Sequence, residues 1–300
     1  MLINFSSAVM YDLVNWMITS IPIMITIKKI FISSGLAFYF LSANAQEAIK
    51  PLSELVSENT IAWDRILFLS AHAKNKVELL EKDSARASNA LLQSQLSTNT
   101  LLGSIIYNSG GILIDGGWIR ILGSGNDKLS RSIPDWNRGK LAATRNEESF
   151  YLLVADDVLG GLFAIKAGSA DELETVGQVF YYGPNGLTWQ STGLTYSAFI
   201  SYCFSGNLKD FYSDFRWKGW QDDVKTIDCN SVISCYPMLW TREGLQMKAN
   251  RKLLAIETQW NLYQGKGKPV RKQKSVAQRE PARKPVTVSE SMWNQNTTSR

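Results

Sequence analysis

Between Gly110 and Ala164 the chain alternates short apolar runs with Gly- and Asp-rich breaks. The runs Ile112–Ile114, Trp118–Leu122, Phe150–Val154 and Leu162–Ala164 have the pattern of strands joined by tight turns. Isolated glycines such as Gly117 and Gly161 suit positive φ or a close backbone approach. Ahead of this centre the period changes. Pro51–Val56 predicts a short helix, and Asn59-Thr60 caps a second with apolar positions at helical spacing over Ile61–Leu69. Lys76–Leu80 predicts a strand, and Asp83-Ser84 caps a helix over Ala85–Leu96. The apolar stripes of these helices are assigned to the core.

Beyond the centre, Val179–Tyr182 and Leu187–Trp189 flank Gly-Pro-Asn-Gly, a β-hairpin signal. Helices follow over Tyr196–Phe204 and Asn207–Phe215, broken at Ser205-Gly206. A loop spans Arg216–Trp220, and Val232–Trp240 is strand-like. Together these elements predict an α+β fold, with helices packed on a central antiparallel sheet.

Charge divides the chain unevenly. Lys248–Arg300 holds 12 Lys and Arg against 3 Asp and Glu, whereas the whole chain carries only +5. The body is therefore mildly acidic, and no nucleic-acid partner is expected for it. Two lysines, Lys28 and Lys29, precede the apolar run Ile30–Leu41 and the small-residue site Ala43-Asn44-Ala45. That order predicts a signal peptide over Met24–Ala45, with Met1–Ile23 an over-extended reading of the true start. A 12-residue run is too short to span a bilayer, which takes about 20 residues. The expected product is periplasmic or secreted, with no membrane span in the mature chain. It would comprise a domain over 46–248 and a basic, largely flexible extension over 249–300. Within the extension, Arg283–Val288 repeats the pattern of Arg251–Ile256, and each copy is followed by Trp-Asn.

Candidate chemistry is sparse. The single histidine, His72, rules out sites with two or three His ligands in one chain and is read as a helix-face residue. Gly123–Lys128 lacks the Gly-Lys-Ser/Thr ending of a phosphate loop and is read as a turn. Asp156-Asp157 ends a strand, where neighbouring side chains point to opposite faces. The pair therefore does not line one site, although either acid can act with Asp115 or Asp135. The alternative is that one acid caps the turn and the other is solvated. Arg120, between Ile119 and Ile121, is placed to pair with an aspartate or to join a binding face. Trp118 and Trp189 are assigned to the core. Trp136, Trp217 and Trp220 lie in polar loops beside Asp135, Asn137 and Arg216, the residue types that anchor protein interfaces. In an exported protein Cys229 and Cys235 either bridge or remain thiols, with Cys203 buried in its helix.

Six motifs resemble the bacterial domain-of-unknown-function family numbered 2625 over roughly residues 50–245. They are GGILIDGGWIRILGSG (110–125), RSIPDWN (131–137), FYLLVADDVLGGLFAI (150–165), GQVFYY (177–182), FRWKGW (215–220) and CYPMLWT (235–241). The family label implies no activity. The order of elements is also distantly similar to the SUKH superfamily, which implies an α+β fold. Many of that superfamily's members are immunity or partner-binding proteins. The expected function is a non-enzymatic, exported protein-binding module without cofactor, metal or catalytic residues. Its face would combine Trp136, Arg216, Trp217 and Trp220 with Asp135, Asn137, Asp156, Asp157 and Arg120. The alternative is a carbohydrate-binding or carbohydrate-active envelope protein using an Asp pair and Trp platforms.

Overall fold

The computed structural model describes residues 49–140, 150–168, 175–184, 188–236 and 250–264. The signal peptide, the segment ahead of it and the repeat at Arg283–Val288 lie outside the described residues. Seven strands form one antiparallel meander in which sequence neighbours are spatial neighbours. They are β1 Val77–Leu80, β2 Gly111–Ile114, β3 Ile119–Leu122, β4 Phe150–Asp157, β5 Leu162–Ala167, β6 Gln178–Tyr182 and β7 Trp189–Thr195. Two further strands, β8 Ser231–Tyr236 and β9 Asn250–Ala255, pair with each other. Among the described residues five helices precede the second half of the sheet: α1 Leu52–Leu55, α2 Ile61–Ala71, α3 Ser84–Ser94, α4 Leu101–Asn108 and α5 Ile133–Asn137. The later helices among the described residues are α6 Tyr196–Ser205, α7 Leu208–Phe211, α8 Trp220–Lys225 and α9 Ile256–Tyr263. The fold is α+β, with helices against an antiparallel sheet, as the pattern predicts.

Alternation on the strands assigns the two sheet faces. Arg120, Asp156, Leu162 and Tyr182 are cross-strand partners and share one face. Toward that face lie the β8–β9 pair and α9, through Arg120 to the Ser231 carbonyl and Tyr182 to the Tyr263 ring. On the other face Phe163 packs on Phe199 of α6, and Tyr181 on Phe211 of α7. The β2–β3 connection is Asp115-Gly116-Gly117-Trp118, with positive φ at the first three residues. At Asp115 this conformation is uncommon, and the side chain is held by Arg216 at 2.6 Å.

Several elements depart from the sequence pattern. Leu101–Asn108 is a helix capped by Thr100, although its short apolar run favours neither period. Trp136 sits on α5, capped by Ser132, rather than in a loop. Trp220 opens α8, and the helix expected over Asn207–Phe215 is regular only over Leu208–Phe211. Asn250–Tyr263, placed by composition in the C-terminal extension, forms β9 and α9 and buries Ile256 and Trp260. Cys203, Cys229 and Cys235 are buried free thiols. All three thiols are free, so the structure holds no bridge between Cys229 and Cys235. On α2 the apolar stripe is wider than the core can cover: Ile66 is buried, but Ile61 and Phe68 face solvent. His72 ends α2 as an exposed residue whose ring N–H donates to the Phe68 carbonyl at 2.8 Å.

Candidate functional site

The candidate residues divide among three places. On one sheet face a buried charge cluster centres on Asp156. Arg120 and Asp156 are 1% and 0% exposed, and Arg120 Nη2 lies 2.5 Å from Asp156 Oδ1. The other carboxylate oxygen is 2.5 Å from Arg131 Nη1. Arg120 also donates to the carbonyls of Asp157 and Ser231, and Arg131 to that of Cys229. The two guanidinium groups thus tie the sheet to the start of β8. Asp156 was expected on a docking face, yet it is fully enclosed. Burying a carboxylate is costly unless it is paired or hydrogen-bonded, and here two guanidinium groups pair it.

Above this cluster lies Trp136, buried at 4% exposure. The Arg131 guanidinium stands 4.8 Å from its ring centroid and Lys140 Nζ 4.3 Å, a cation–π arrangement with two cations. A shallow pocket of about 310 Å³ opens here, lined by Arg131, Trp136, Lys140, Asn230, Ile256 and Glu257 among others. Lys140 pairs with Glu257 at 3.1 Å, and Arg131 Nε donates to Asn230. Asp135, exposed at the rim, accepts from Ser132 and pairs with Arg138. Neighbouring Asn137 has a structural task. β3 pairs with β4 only as far as Ala155, and the Asn137 amide takes over at Leu153. Its Oδ1 accepts from the Leu153 N–H and its Nδ2 donates to the Leu153 carbonyl, each at 2.8 Å. Arg131 and Lys140 are absent from the candidates read from sequence. The available signal was Arg131 opening the RSIPDWN motif, five residues before Trp136.

On the opposite sheet face Asp157 closes the β4–β5 turn. Its Oδ1 accepts from the N–H groups of Leu159 and Gly161, at 2.9 and 2.8 Å. Its Oδ2 accepts from Tyr181 at 2.8 Å and Tyr212 at 3.2 Å. A Cβ at Gly161 would overlap both Asp157 Oδ2 and Tyr181 Oη, so only glycine fits. Burial raises the Asp157 carboxyl above its ordinary value, opposed by the hydrogen bonds from Tyr181, Gly161 and Leu159 and by the Arg120 charge. Burial and the Asp157 charge push the Tyr181 and Tyr212 phenols well up. Asp157 is the turn-capping acid foreseen from the sequence, but its neighbour is ion-paired rather than solvated. Two-carboxylate glycoside chemistry needs both acids on one bond, about 5–9.5 Å apart. Asp156 and Asp157 project to opposite faces, Asp115 is bound to Arg216, and Asp135 to Ser132 and Arg138.

The third place is an aromatic box on the β2–β3 turn. Arg216 lies 4.1 Å from the Trp220 ring centroid and 4.8 Å from that of Trp118. Trp217 packs on Trp118 and stacks beneath Arg251, 3.7 Å from its centroid. Trp217 Nε1 donates to Asp223, which also pairs with Arg251. Trp217 and Trp220 are half-buried, closing over the wholly buried Trp118. The expected single binding face is therefore a correction: Asp156, Asp157, Arg120 and Asn137 are interior, and Trp136 belongs to a different cluster from Trp217 and Trp220. Burial also raises the thiols of Cys203, Cys229 and Cys235, which keeps them in the weakly nucleophilic form. Among the described residues no group of three His, Cys, Asp or Glu side chains is arranged to hold a metal.

Fold and clusters define an α+β protein on a seven-stranded meander, pinned from both faces by one Asp-Asp turn. The chain belongs to the family described as protein of unknown function DUF2625, whose profile matches residues 52–259. It is 40% identical over 191 residues to an "Uncharacterized protein" of Haemophilus influenzae, covering 64% of this chain and 83% of that one. It is 35% identical over 220 residues to "Putative uncharacterized protein YbfG" of Escherichia coli strain K12, covering 73% and 98%. No solved structure matches. Among the described residues no helix is long and apolar enough to cross a membrane.

Proposed function

We propose that this chain is an exported, non-enzymatic protein-binding module, and that α2 carries its docking surface. The observation behind this reading is the exposure of α2: Ile61 at 71%, Phe68 at 62% and Leu67 at 43%. Single exposed apolar residues are ordinary, but Ile61 and Phe68 align on one side of the helix with Leu67 about a quarter turn away, an apolar face of the kind that partners cover. An apolar helix face offered to a groove or another helix is a recurring recognition mode. The engagement of both buried aspartates in the turn, and of the indoles in packing, supports binding over chemistry at those residues.

A photo-crosslinking residue at position 68 of the full chain, expressed in cells, tests the surface. A covalent adduct with a protein is the expected result, and irradiation without any adduct would overturn the reading. Export is tested separately by N-terminal sequencing of the native protein. A start at Gln46 is expected, and a mature chain that retains Met1–Ile23 would end the export proposal.

A further inference from the structure

The exposed side of α2 is ordered as a seam. Ile61 and Phe68 are seven residues apart, so on a 3.6-residue helix they lie within about 20° of each other. Between them in height come Asp64 and Arg65, both exposed. At about 100° per residue, the two charges fall about 50° to opposite sides of the ridge defined by Ile61 and Phe68. The acid flank also carries Leu67, and the His72 ring extends the ridge by packing on Phe68, 4.3 Å between centroids. Thr60 Oγ donates to Asp64 Oδ2 at 2.7 Å, which fixes that carboxylate at the first turn. The reverse side of α2 is committed to the body through fully buried Ile66, so the ridge cannot rotate inward.

We infer that the partner of α2 is α2 of a second copy of this chain, aligned parallel about a two-fold axis that runs along the helices. This deepens the protein-binding proposal and rests on it. The charge pattern selects the partner and its direction. A two-fold axis parallel to the helices turns the acid flank of one copy onto the basic flank of the other. Asp64 then meets Arg65 of the second copy twice, while Ile61 stacks on Ile61 and Phe68 on Phe68, as in the core positions of a parallel coiled coil. An antiparallel pairing that sets Ile61 on Phe68 keeps like flanks together. It would place Arg65 against Arg65 and Asp64 against Asp64, which is repulsive. One helix thus carries an apolar ridge and both halves of a complementary charge pair, each on the side where a parallel copy presents the other.

Sedimentation velocity of the purified full chain across a concentration series provides the test. The wild type is expected to dimerise, and Phe68→Glu to remain monomeric with an unchanged far-ultraviolet spectrum, because position 68 contributes little to the core. Asp64→Arg and Arg65→Asp should each weaken the dimer by about tenfold, and the two together should restore it. Phe68→Cys should give a covalent homodimer on mild oxidation. The wild type should not, because its thiols at 203, 229 and 235 are buried. A monomer at every concentration, or a double swap that fails to restore the dimer, would overturn the inference. So would cross-linking that occurs only between Ile61→Cys and Phe68→Cys chains. If the photo-crosslinker at position 68 captures a different protein and never a second copy, the dimer falls while the binding proposal stands. If it captures nothing, both fall.

Discussion

Asp156 and Asp157 are adjacent, equally buried and chemically identical, yet the two sheet faces accommodate their charges by different means. On one face Asp156 is matched by two arginines, and its surroundings join the sheet to β8. On the other, Asp157 is held by two phenols and two backbone N–H groups, and its surroundings join the β4–β5 turn to α7 and β6. Full charges are the costlier solution, because each guanidinium left without its partner is a buried unpaired ion. Dipolar donors are more forgiving, because a protonated or amide side chain keeps part of the set. Identical residue types therefore predict different sensitivities.

The largest effect is expected at the charge cluster. Asp156→Asn leaves Arg120 buried against Arg131 without a carboxylate, and should cost about 3–5 kcal/mol in urea unfolding. A loss below that of Asp157→Asn would erase the contrast between the faces. Asp157→Asn turns an acceptor of four hydrogen bonds partly into a donor, with an expected cost of roughly 1–3 kcal/mol. Smaller again are Tyr181→Phe and Tyr212→Phe, each about 0.5–1.5 kcal/mol. Tyr181→Phe should cost more, because its bond to Asp157 is shorter.

The finest test is pH. The folded-state carboxyl of Asp157 is raised, so between the unfolded value near 3.8 and its folded value the native state binds the extra proton. Its contribution is then full below 3.8 and lost as pH rises through the folded value. Asp157→Asn should remove this slope from a urea-stability profile, and an unchanged profile would place the titration elsewhere.

Much of the sheet was legible because period-two alternation needs only local information. Ile112–Ile114, Ile119–Leu122 and Val179–Tyr182 fell where strands are, whereas the second hairpin arm, read at Leu187–Trp189, begins only at Trp189 and runs on to Thr195. The opposed directions of Asp156 and Asp157 followed from the pleat alone. Arg120 was readable as an ion-pair candidate for the same reason, since alternation turns it away from Ile119 and Ile121, while the β3–β4 register chose Asp156 as its partner. Arg131 was not, because it lies on no strand whose alternation would turn it toward the sheet and meets Asp156 only through tertiary packing. Asn137 looked like a surface anchor beside Trp136, but it completes a strand edge that exists only because β3 and β4 diverge. The exposed ridge of α2 was misread as core. A helix apolar nearly all round leaves open which side is covered until its neighbours are in place.

The sequence by itself determined the α+β class, the strand-and-turn rhythm and the opposition of the two acids across the sheet, because these depend on backbone period and turn chemistry within a few residues. Only the tertiary structure decided which charges are interior, where the indoles close over Trp118, and which stripe of α2 stays in water. Burial depends on what the rest of the chain brings to each side chain from a distance, and no local pattern carries that information.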